Sequence, residues 1–500
     1  MHHVVMNPYL PLWEYIPDAE PRVFGDRLYV YGSHDYSGGE QGFCPGDYMV
    51  WSAPLNDLGD WRCDGAAYKR TDAPDMKGEK DGLFAPDVVQ GTDGRYYLYY
   101  NTKYSASCGV AVSDRPQGPF SFYGSVRCAD GKVYEQEKMF DPGVLVDEDG
   151  RVFLYIGFVP PADYPYPIPT TGYSSVLELE PDMLTIKGSS KMLLPGSEKA
   201  KGTPFEGHGF YEASSPRKIN GRYVLVYSSE QSHELCYAVS NRPDEGFVYE
   251  GILVSNADIG LNGNPCPVMP YGNTHGGLVQ LHGDWYIFYH RQTHGVESSR
   301  QGCAEKLPIR PDGLFGQAEI TSCGLNDGAL PAEGRYNACY CCHLTSPAMK
   351  NGRLSARGNL REQEPHIFEE PVGTEETDAL HYIANITDGT VAGYKYFDLS
   401  PAKTLTLRLR GSGAVSVKVI LDSPAGAAVS ERTAELKGEW SEWTLPLEET
   451  GVHALYIRFE LEGRMEFESF SFGSYVDGIN ENGIMLGGMR DEAERRKNDE

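Results

Sequence analysis

Short runs of alternating apolar and polar residues recur along the first two thirds of the chain. In each copy a glycine at a turn precedes a run of aromatic and β-branched residues, and the five copies begin at Gly25, Gly94, Gly150, Gly221 and Gly283. The period of two and the aromatic content predict β-strands, because successive side chains of a strand point to opposite faces of the sheet. Further strand-like runs follow, such as Val110–Val112 and Cys236–Val239.

The order of these elements is the same in every copy, and this indicates a repeat architecture. Five copies of about four strands each are typical of a five-bladed β-propeller, which we expect over residues 1–325. A large sandwich whose hairpins happen to look alike is the alternative. The recurrence of the same elements in the same order favours the propeller.

The alternation continues in the last third of the chain, but without the repeated glycine. Runs such as Thr404–Leu409 and Val415–Leu421 keep a period of two and show no helical stretch. They predict a β-sandwich over residues 366–475. Residues 326–365 are then a connecting segment and residues 476–500 a charged tail. The predicted fold class is all-β, a five-bladed β-propeller followed by a β-sandwich.

The composition agrees with this architecture and excludes several partners. The 500 residues include 33 Tyr, 57 Gly and 33 Pro, which suit aromatic strands joined by turns, and the net charge is −27. So acidic a surface repels nucleic acid and anionic lipid, so we expect neither as a partner. No apolar run reaches the roughly 18 residues of a membrane-spanning helix.

Two further features bear on the compartment. The N-terminal residues show no basic region followed by a long apolar run, so we expect no signal peptide and a cytoplasmic location. Cys339, Cys341 and Cys342 cluster among the 11 cysteines, but a zinc site would need paired Cys-x-x-Cys spacings with partners at a distance, and the sequence has no second pair. We therefore expect reduced, structural cysteines.

Acidic residues precede the repeated glycines by seven to nine positions. They are Asp18, Asp87, Asp141 and Glu212, and the fifth copy has His275 instead. The first strand of each propeller blade lines the central channel, so these side chains are expected to converge. Clustered carboxyl groups raise one another's pKa, which suits chemistry that needs a protonated acid beside an ionised base.

Glycoside hydrolysis is one reaction with this requirement. Two carboxyl groups face each other across the scissile bond, about 6.5–9.5 Å apart when the anomeric configuration inverts and about 5–5.5 Å apart when it is retained. Carboxylates from different blades can face each other across a channel in this way. The alternative is a purely structural role, in which Asp and Pro only shape the turns that lead into the strands.

Taken in chain order, these segments resemble glycoside hydrolase family 43, which contains five-bladed propeller arabinofuranosidases, β-xylosidases and arabinanases. The resemblance implies that Asp18, which lies fifteen residues before the Ser33–Asp35 segment, is at the position of the catalytic base. Ala19 stands where the family pattern has proline, and Glu20, which is followed by Pro21, is a rival base.

The resemblance also assigns the other two carboxyl groups. Asp141, in Phe140–Leu145, is similar to the aspartate that tunes the pKa of the acid, and Glu212, in Tyr211–Pro216, is similar to the general acid. His275 resembles an axial histidine that contacts a metal ion or water. The chemistry itself needs no cofactor, and the resemblance leaves room for a structural Ca²⁺ near His275.

Substrate contacts are assigned in the same way. Arg300 resembles the arginine that contacts the sugar, and Arg291 is a second candidate for that contact. The other expected substrate-binding residues are His34, Asp35, Trp51, Phe84 and Asp87. The C-terminal segment resembles a family 6 carbohydrate-binding β-sandwich, on Thr387–Phe397 and Gly451–Tyr456. Sugar binding by this domain and a purely structural role are both open.

The implied activity is that of an inverting, exo-acting glycoside hydrolase that releases terminal α-L-arabinofuranosyl residues from plant-derived oligosaccharides. A β-D-xylosidase of the same family is the alternative. Two other classes stay open at this point. A propeller phosphorylase would need several Arg and Lys residues at the funnel, and a non-catalytic carbohydrate-binding protein would use the funnel for binding alone. The sequence carries no indication of the oligomeric state.

Overall fold

Five antiparallel β-sheets surround a central axis and confirm the predicted propeller. The computed structural model describes residues 3–161, 164, 170–349, 352–354, 364–372 and 379–473. The first two blades are four-stranded, with β1 Glu20–Phe24, β2 Arg27–Tyr31, β3 Tyr48–Pro54 and β4 Arg62–Tyr68 in one, and β5 Asp87–Gln90, β6 Tyr96–Tyr100, β7 Gly109–Ser113 and β8 Ser121–Ser125 in the other.

The remaining blades follow in chain order. The third blade contains β9 Gly143–Val146, β10 Val152–Ile156, β11 Tyr173–Leu179 and β12 Lys191–Pro195. The fourth contains β13 Phe210–Ile219, β14 Arg222–Ser229, β15 Glu234–Ser240 and β16 Val248–Ser255. The fifth contains three strands, β17 Leu278–Leu281, β18 Asp284–Arg291 and β19 Gln301–Lys306.

The outer edge of the fifth blade is covered by residues from the N-terminal end of the described chain. The side chain of Asn7 donates to the Ala304 carbonyl at 2.9 Å, and the Ala304 amide donates back to Asn7 Oδ1 at 2.9 Å. The Tyr9 amide donates to the Gly302 carbonyl at 3.2 Å. These bonds join the beginning of the propeller to its last blade and satisfy backbone groups that an open sheet edge would expose.

Tyrosines of the repeated strands join each blade to the next. The blades pack face to face, so their middle strands are buried on both sides and favour large side chains. Four tyrosine hydroxyls donate to backbone carbonyls of the following blade: Tyr31 to Pro116, Tyr99 to Met183, Tyr155 to Pro243 and Tyr237 to Phe315. A buried tyrosine hydroxyl requires a hydrogen-bond acceptor, and in each case a backbone carbonyl of the next blade is that acceptor.

The C-terminal domain is a β-sandwich of eleven strands. They are β20 Leu330–Pro331, β21 Gly334–Asn337, β22 His343–Thr345, β23 His366–Pro371, β24 Ala379–Ile386, β25 Val391–Asp398, β26 Thr404–Leu421, β27 Ala428–Lys437, β28 Ser441–Pro446, β29 Val452–Leu461 and β30 Met465–Gly473. The 18-residue strand β26 belongs to both layers, because its first half pairs with β28 and β30 and its second half with β27 and β29.

The predicted connecting segment, residues 326–365, is only partly a connection. Strands β20 and β22 pair with β25, and β21 pairs with β30, so part of this segment belongs to the sandwich. Strands of two to four residues are too short to show a period in the sequence. The predicted tail, residues 476–500, lies outside the described residues.

Helices contribute little to the described chain. They are α1 Ser197–Ala200 and the 3₁₀ turns Arg70–Asp72, Leu261–Gly263 and Ala338–Tyr340. Within the described residues, no helix combines the length and apolar character that crossing a membrane would require. All eleven cysteines are free thiols.

The propeller and the sandwich share one hydrophobic core. It includes Leu278 and Ile287 of the fifth blade together with Tyr394 and Phe397 of β25. At its rim the Lys395 ammonium lies 2.8 Å from a Glu319 carboxylate oxygen and 3.3 Å from one of Asp258. The sandwich therefore buttresses the last two blades, whose strands carry part of the site described below.

The axis of the propeller contains a buried cluster of two acids and two arginines. Arg22 donates to both carboxylate oxygens of Asp87, with a shortest distance of 2.6 Å, and Arg217 donates to Glu20 at 2.8 Å. Asp87 also accepts the amide of Val144 at 2.8 Å. Asp87 thus links the first, second and third blades, which explains its position in the repeat without a role in substrate binding.

Replacing Asp87 with asparagine tests this role. The Asp87→Asn substitution leaves the buried Arg22 guanidinium without its carboxylate, and breaking a buried ion pair from one side costs about 3 kcal/mol or more. We expect that loss in the free energy of unfolding, measured by chemical denaturation. The matched control is Asp93→Asn, because Asp93 pairs with Arg95 on the same blade at the surface and its removal should cost under about 1 kcal/mol. Equal losses in the two variants would contradict the assignment.

Candidate active site

A cavity of about 610 Å³ opens at one end of the propeller axis. Its walls come from every blade and combine carboxyl, cationic and aromatic side chains. They are Asp18, Phe43, Phe84, Lys103, Ala106, Glu135, Gln136, Glu137, Lys138, Phe140, Asp141, Phe158, Tyr164, Tyr211, Glu212, Asn273, His275, Glu297 and Arg300. The predicted catalytic residues Asp18, Asp141 and Glu212 therefore share one cavity with His275 and Arg300.

The backbone is irregular at each of the three carboxyl residues. Asp18 and Asp141 have φ angles of 58° and 46°, in the left-handed region that side chains other than glycine seldom adopt. Glu212 lies between two register shifts of the β13–β14 pairing, beside Ala213 with a φ of 70°. Such conformations persist where the surrounding structure enforces them, and they are common at functional sites.

Asp18 is held in its ionised form by Arg300. The guanidinium donates to Asp18 Oδ1 at 2.8 Å and to both oxygens of Asp35, at 2.7 and 3.0 Å. Burial alone would raise the pKa of Asp18, but the positive charge of Arg300 outweighs it and holds that pKa well below the usual range. Asp35 does not line the cavity, and it acts on the site by orienting Arg300.

His290 supports Asp18 from the other side. Its Nδ1 accepts the Asp18 amide at 3.2 Å, while its Nε2 lies 2.9 Å from the Asn273 carbonyl. Burial lowers the pKa of this imidazole. A neutral ring that donates from Nε2 and accepts at Nδ1 satisfies both contacts.

His275 carries a positive charge between carboxylates. Its Nδ1 lies 3.4 Å from Asp141 Oδ2, and its Nε2 lies 4.0 Å from Glu20 Oε1. Although burial opposes the charged form, the hydrogen bond and charge of Asp141 raise the pKa of His275 to about 9. Burial raises the pKa of Asp141 in turn, and the imidazolium partly offsets that effect.

Glu212 is the acid without a cationic partner. In the described part of the chain, no Lys, Arg or His nitrogen lies within 4.0 Å of its carboxylate oxygens. Burial, and then the negative charge of Asp141, raise the pKa of Glu212 well above its usual range. The cavity thus combines an ionised carboxylate at Asp18 with a protonated carboxyl group at Glu212.

Glu20, the rival base, occupies a different position. It is buried in the axial cluster with Arg217 and does not line the cavity. Asp18 and Glu20, which are separated by one residue in the sequence, thus lie at different depths, with Asp18 at the cavity and Glu20 beneath it. This position supports Asp18 as the carboxylate that can reach a substrate.

Several predicted substrate contacts lie elsewhere. Arg291 is fully buried and donates to Cys303 Sγ and to the Cys341 carbonyl, at the contact with the sandwich. Trp51 and His34 both contact the buried carboxylate of Glu14, at 2.7 and 3.1 Å. These three residues do not line the cavity. Successive side chains of a strand point to opposite faces of its sheet. The sequence alone does not show which of these side chains point towards the cavity.

Aromatic residues that the sequence analysis did not assign line much of the cavity. Phe84, which was predicted, begins a row of ring contacts that continues through Phe140 and Phe158 to Tyr211, with centroids 4.8–5.4 Å apart. Phe140 and Tyr211 directly precede Asp141 and Glu212 in the chain. Their position next to the predicted catalytic residues is the sequence feature that could have indicated them as cavity residues. Such rings can stack on the apolar face of a sugar.

The protein atoms around His275 do not by themselves form a calcium site. Ca²⁺ takes six to eight oxygen ligands, whereas the carboxylates of Asp141 and Glu20 are engaged with the ring of His275 and with Arg217. Among the described residues, three His, Cys, Asp or Glu donor atoms converge within 4.8 Å only at His208, Glu234 and Cys236.

Comparison with known proteins identifies the family of this chain. The sequence model of glycosyl hydrolases family 43 matches residues 15–315. A xylosidase/arabinosidase of Thermoclostridium stercorarium is 41% identical over 476 residues, which cover 93% of this chain and 98% of that protein. A β-xylosidase of Xylanibacter ruminicola is 29% identical over 306 residues, which cover 55% of this chain and 88% of the relative.

A solved structure agrees with the sequence relatives. The crystal structure of the GH43_1 enzyme from Xanthomonas citri complexed with xylose aligns with a TM-score of 0.51 and 26% identity, covering 64% of this chain and 95% of that chain. The family model covers more than half of the sequence, and it lies within the propeller that carries the cavity. The chain therefore belongs to glycosyl hydrolase family 43 and is a glycoside hydrolase.

Proposed function

We propose that this chain is an inverting, exo-acting glycosidase that removes terminal α-L-arabinofuranosyl residues from plant-derived oligosaccharides. The observation that carries the proposal is the opposite ionisation of two carboxyl groups in one cavity. Arg300 keeps Asp18 negative, whereas burial and Asp141 keep Glu212 protonated. A base and an acid that are both ready before the substrate binds are what hydrolysis with inversion requires.

Glu212 acts as the general acid in this mechanism. Departure of the sugar leaves negative charge on the glycosidic oxygen, and proton transfer from Glu212 neutralises that charge as the bond breaks. Burial and the negative charge of Asp141 raise the pKa of Glu212 well above its usual range, and no cationic partner within 4.0 Å in the described chain opposes them, so the protonated form is favoured. Asp141 remains beside it as a negative charge that sustains the high pKa.

Asp18 acts as the general base. It removes a proton from a water molecule as the water attacks the anomeric carbon from the face opposite the leaving group. The ion pair with Arg300 fixes the orientation of Asp18, and Asp35 fixes Arg300. The developing positive charge on the sugar ring lies among carboxylates, which stabilise an oxocarbenium-like transition state.

The sugar preference is the finer part of the proposal. Names of the relatives pair xylosidase with arabinosidase, and one is a β-xylosidase, so β-D-xylosidase activity is the second candidate. Terminal α-L-arabinofuranosyl and β-D-xylopyranosyl groups place hydroxyls in similar positions, and one cavity can accept both. The cavity combines a row of aromatic rings with a few buried polar groups, and this combination supports an oligosaccharide as the substrate.

The role of Glu212 predicts a dependence on the leaving group. Glu212→Ala removes the proton donor, so turnover of natural oligosaccharides, whose leaving groups are poor, should fall by about 10²–10⁴-fold. An aryl glycoside with an acidic phenol needs no proton, and the variant should retain much of its turnover on that substrate. Initial rates on both substrates measure the difference.

Two further variants complete this test. Asp18→Asn removes the base and should impair both substrates to a similar extent. Glu148→Ala changes an exposed acid on the third blade and should leave both rates unchanged. Equal losses on both substrates in Glu212→Ala would exclude Glu212 as the general acid.

The role of Asp141 predicts a shift of the pH profile. The enzyme needs protonated Glu212, so its activity should fall as pH rises through the raised pKa of that residue. Asp141→Asn removes a neighbouring negative charge, lowers the pKa of Glu212 and moves this falling limb to lower pH. The limb that depends on ionised Asp18 lies below the ordinary carboxyl range, because Arg300 lowers that pKa.

The measurement is the dependence of kcat/KM on pH in the two proteins. Asp141→Asn should also lower the pKa of His275, because Asp141 raises it. Loss of the positive charge of His275 would offset part of the expected decrease in the pKa of Glu212. Asp149→Asn, an exposed substitution beside Arg151 on the same blade, is the control and should leave the profile in place. A falling limb that stays fixed in Asp141→Asn would contradict the proposed tuning.

Stereochemistry and sugar preference are tested together. Proton NMR of the first product formed should show an inverted anomeric configuration, and retention would overturn the inverting mechanism. Aryl α-L-arabinofuranoside and aryl β-D-xylopyranoside compared at equal concentration should give the higher kcat/KM with the arabinofuranoside. Release of only monosaccharide at early times supports exo action, and longer early products would contradict it.

A further inference from the structure

Three metal-binding side chains meet on the fourth blade, away from the catalytic cavity. They are His208, which precedes β13, and Glu234 and Cys236 of β15. Residues two apart in a strand point to the same face, so Glu234 and Cys236 both face the histidine. None of the three lines the catalytic cavity, and the mechanism above uses none of them.

The distances among the three donor atoms are close to those of a tetrahedral site. His208 Nδ1 lies 2.7 Å from Glu234 Oε1, Cys236 Sγ lies 3.4 Å from Glu234 Oε1, and Cys236 Sγ lies 4.0 Å from His208 Nδ1. Zinc bond lengths of about 2.0–2.3 Å at tetrahedral angles place such donors about 3.3–3.5 Å apart. Shifts of about 0.6 Å would bring all three around one ion.

Contacts of the neighbouring residues orient the donors. The His208 ring stacks on Tyr249 at a centroid distance of 4.9 Å, and the His208 carbonyl accepts the Tyr227 hydroxyl. Ser229 Oγ donates to Glu234 Oε1 at 2.6 Å. Partners of this kind fix the orientation of metal ligands and increase affinity.

The site is accessible from one side. Cys236 is fully buried, whereas 31% of the His208 side chain is exposed to solvent. An ion can therefore enter beside the imidazole and bind the buried thiolate and carboxylate behind it. Three protein ligands leave a fourth position for water.

We propose that the fourth blade binds one Zn²⁺ ion through His208 Nδ1, Glu234 Oε1 and Cys236 Sγ. One nitrogen, one oxygen and one sulfur donor suit zinc, and oxygen-seeking ions such as Ca²⁺ and Mg²⁺ do not favour thiolate or imidazole. A thiolate and a carboxylate together balance the two positive charges of the ion. His208 lies four residues before Glu212, so the ion would brace the segment that carries the proposed acid.

Binding requires that protons leave the ligands. The thiol of Cys236 loses its proton to solvent as its sulfur bonds to the metal, and His208 must bind as the neutral imidazole. Burial raises the pKa of the Cys236 thiol, and Glu234 raises that of His208. Zn²⁺ binding should therefore release protons to the solvent.

Metal substitution provides a specific test in the full-length protein. After chelator treatment under reducing conditions, equilibrium dialysis against Zn²⁺ should give one ion per chain. Reconstitution with Co²⁺ should produce visible absorption bands and a near-ultraviolet thiolate charge-transfer band. Cys236→Ser should abolish the charge-transfer band, and Glu234→Gln should weaken Zn²⁺ binding by at least about tenfold.

Matched variants distinguish this site from other binding. Cys266→Ser changes an exposed cysteine outside the cluster and should leave the Zn²⁺ affinity and the Co²⁺ spectra intact. Asp141→Asn should leave them intact as well, because the ion binds at the cluster and not at the catalytic carboxylates. If Cys236→Ser fails to fold, His208→Gln replaces a partly exposed ligand and must weaken binding equally. A charge-transfer band that persists without Cys236, or wild-type protein that binds no ion, would overturn the proposal.

Discussion

Neutralisation of buried carboxylates is the constraint on which the rest of this structure depends. The inner ends of the first four blades bring acids to one axis, where burial makes an unpaired charge costly. Arg22 neutralises Asp87, Arg217 neutralises Glu20, Arg300 neutralises Asp18, and His275 faces Asp141. Glu212 has no such partner within 4.0 Å in the described chain, and it avoids the cost of burial by keeping its proton.

The same pairing separates structural from chemical acids by depth. Glu20 and Asp87 lie beneath the cavity, where their arginines also donate to backbone carbonyls of other blades. Asp18, Asp141 and Glu212 line the cavity, where a substrate can reach them. The ionisation of the acids at the cavity is set there by their own neighbours, chiefly Arg300 for Asp18 and burial with Asp141 for Glu212.

Aromatic residues also have two separate structural roles. Tyrosines of the repeated strands fill the spaces between blades and donate their hydroxyls to the following blade. The rings at the cavity belong to residues next to the catalytic acids, such as Phe140 and Tyr211. The sandwich adds a common core with the last blades, which supports the strands that present His275 and Arg300.

The sequence by itself determined the propeller, because a glycine turn and an aromatic strand repeat in order from Gly25 to Gly283, and local patterns of this kind are visible without coordinates. It also indicated that Asp18, Asp141, Glu212 and His275 would meet, since equivalent positions of a repeat converge at the axis. Only the tertiary structure placed Asp18 at the cavity and Glu20 beneath it, placed Arg291 at the sandwich and joined Asp87 to Arg22. Depth along an axis and pairing across blades depend on residues far apart in the chain, and no local pattern records them.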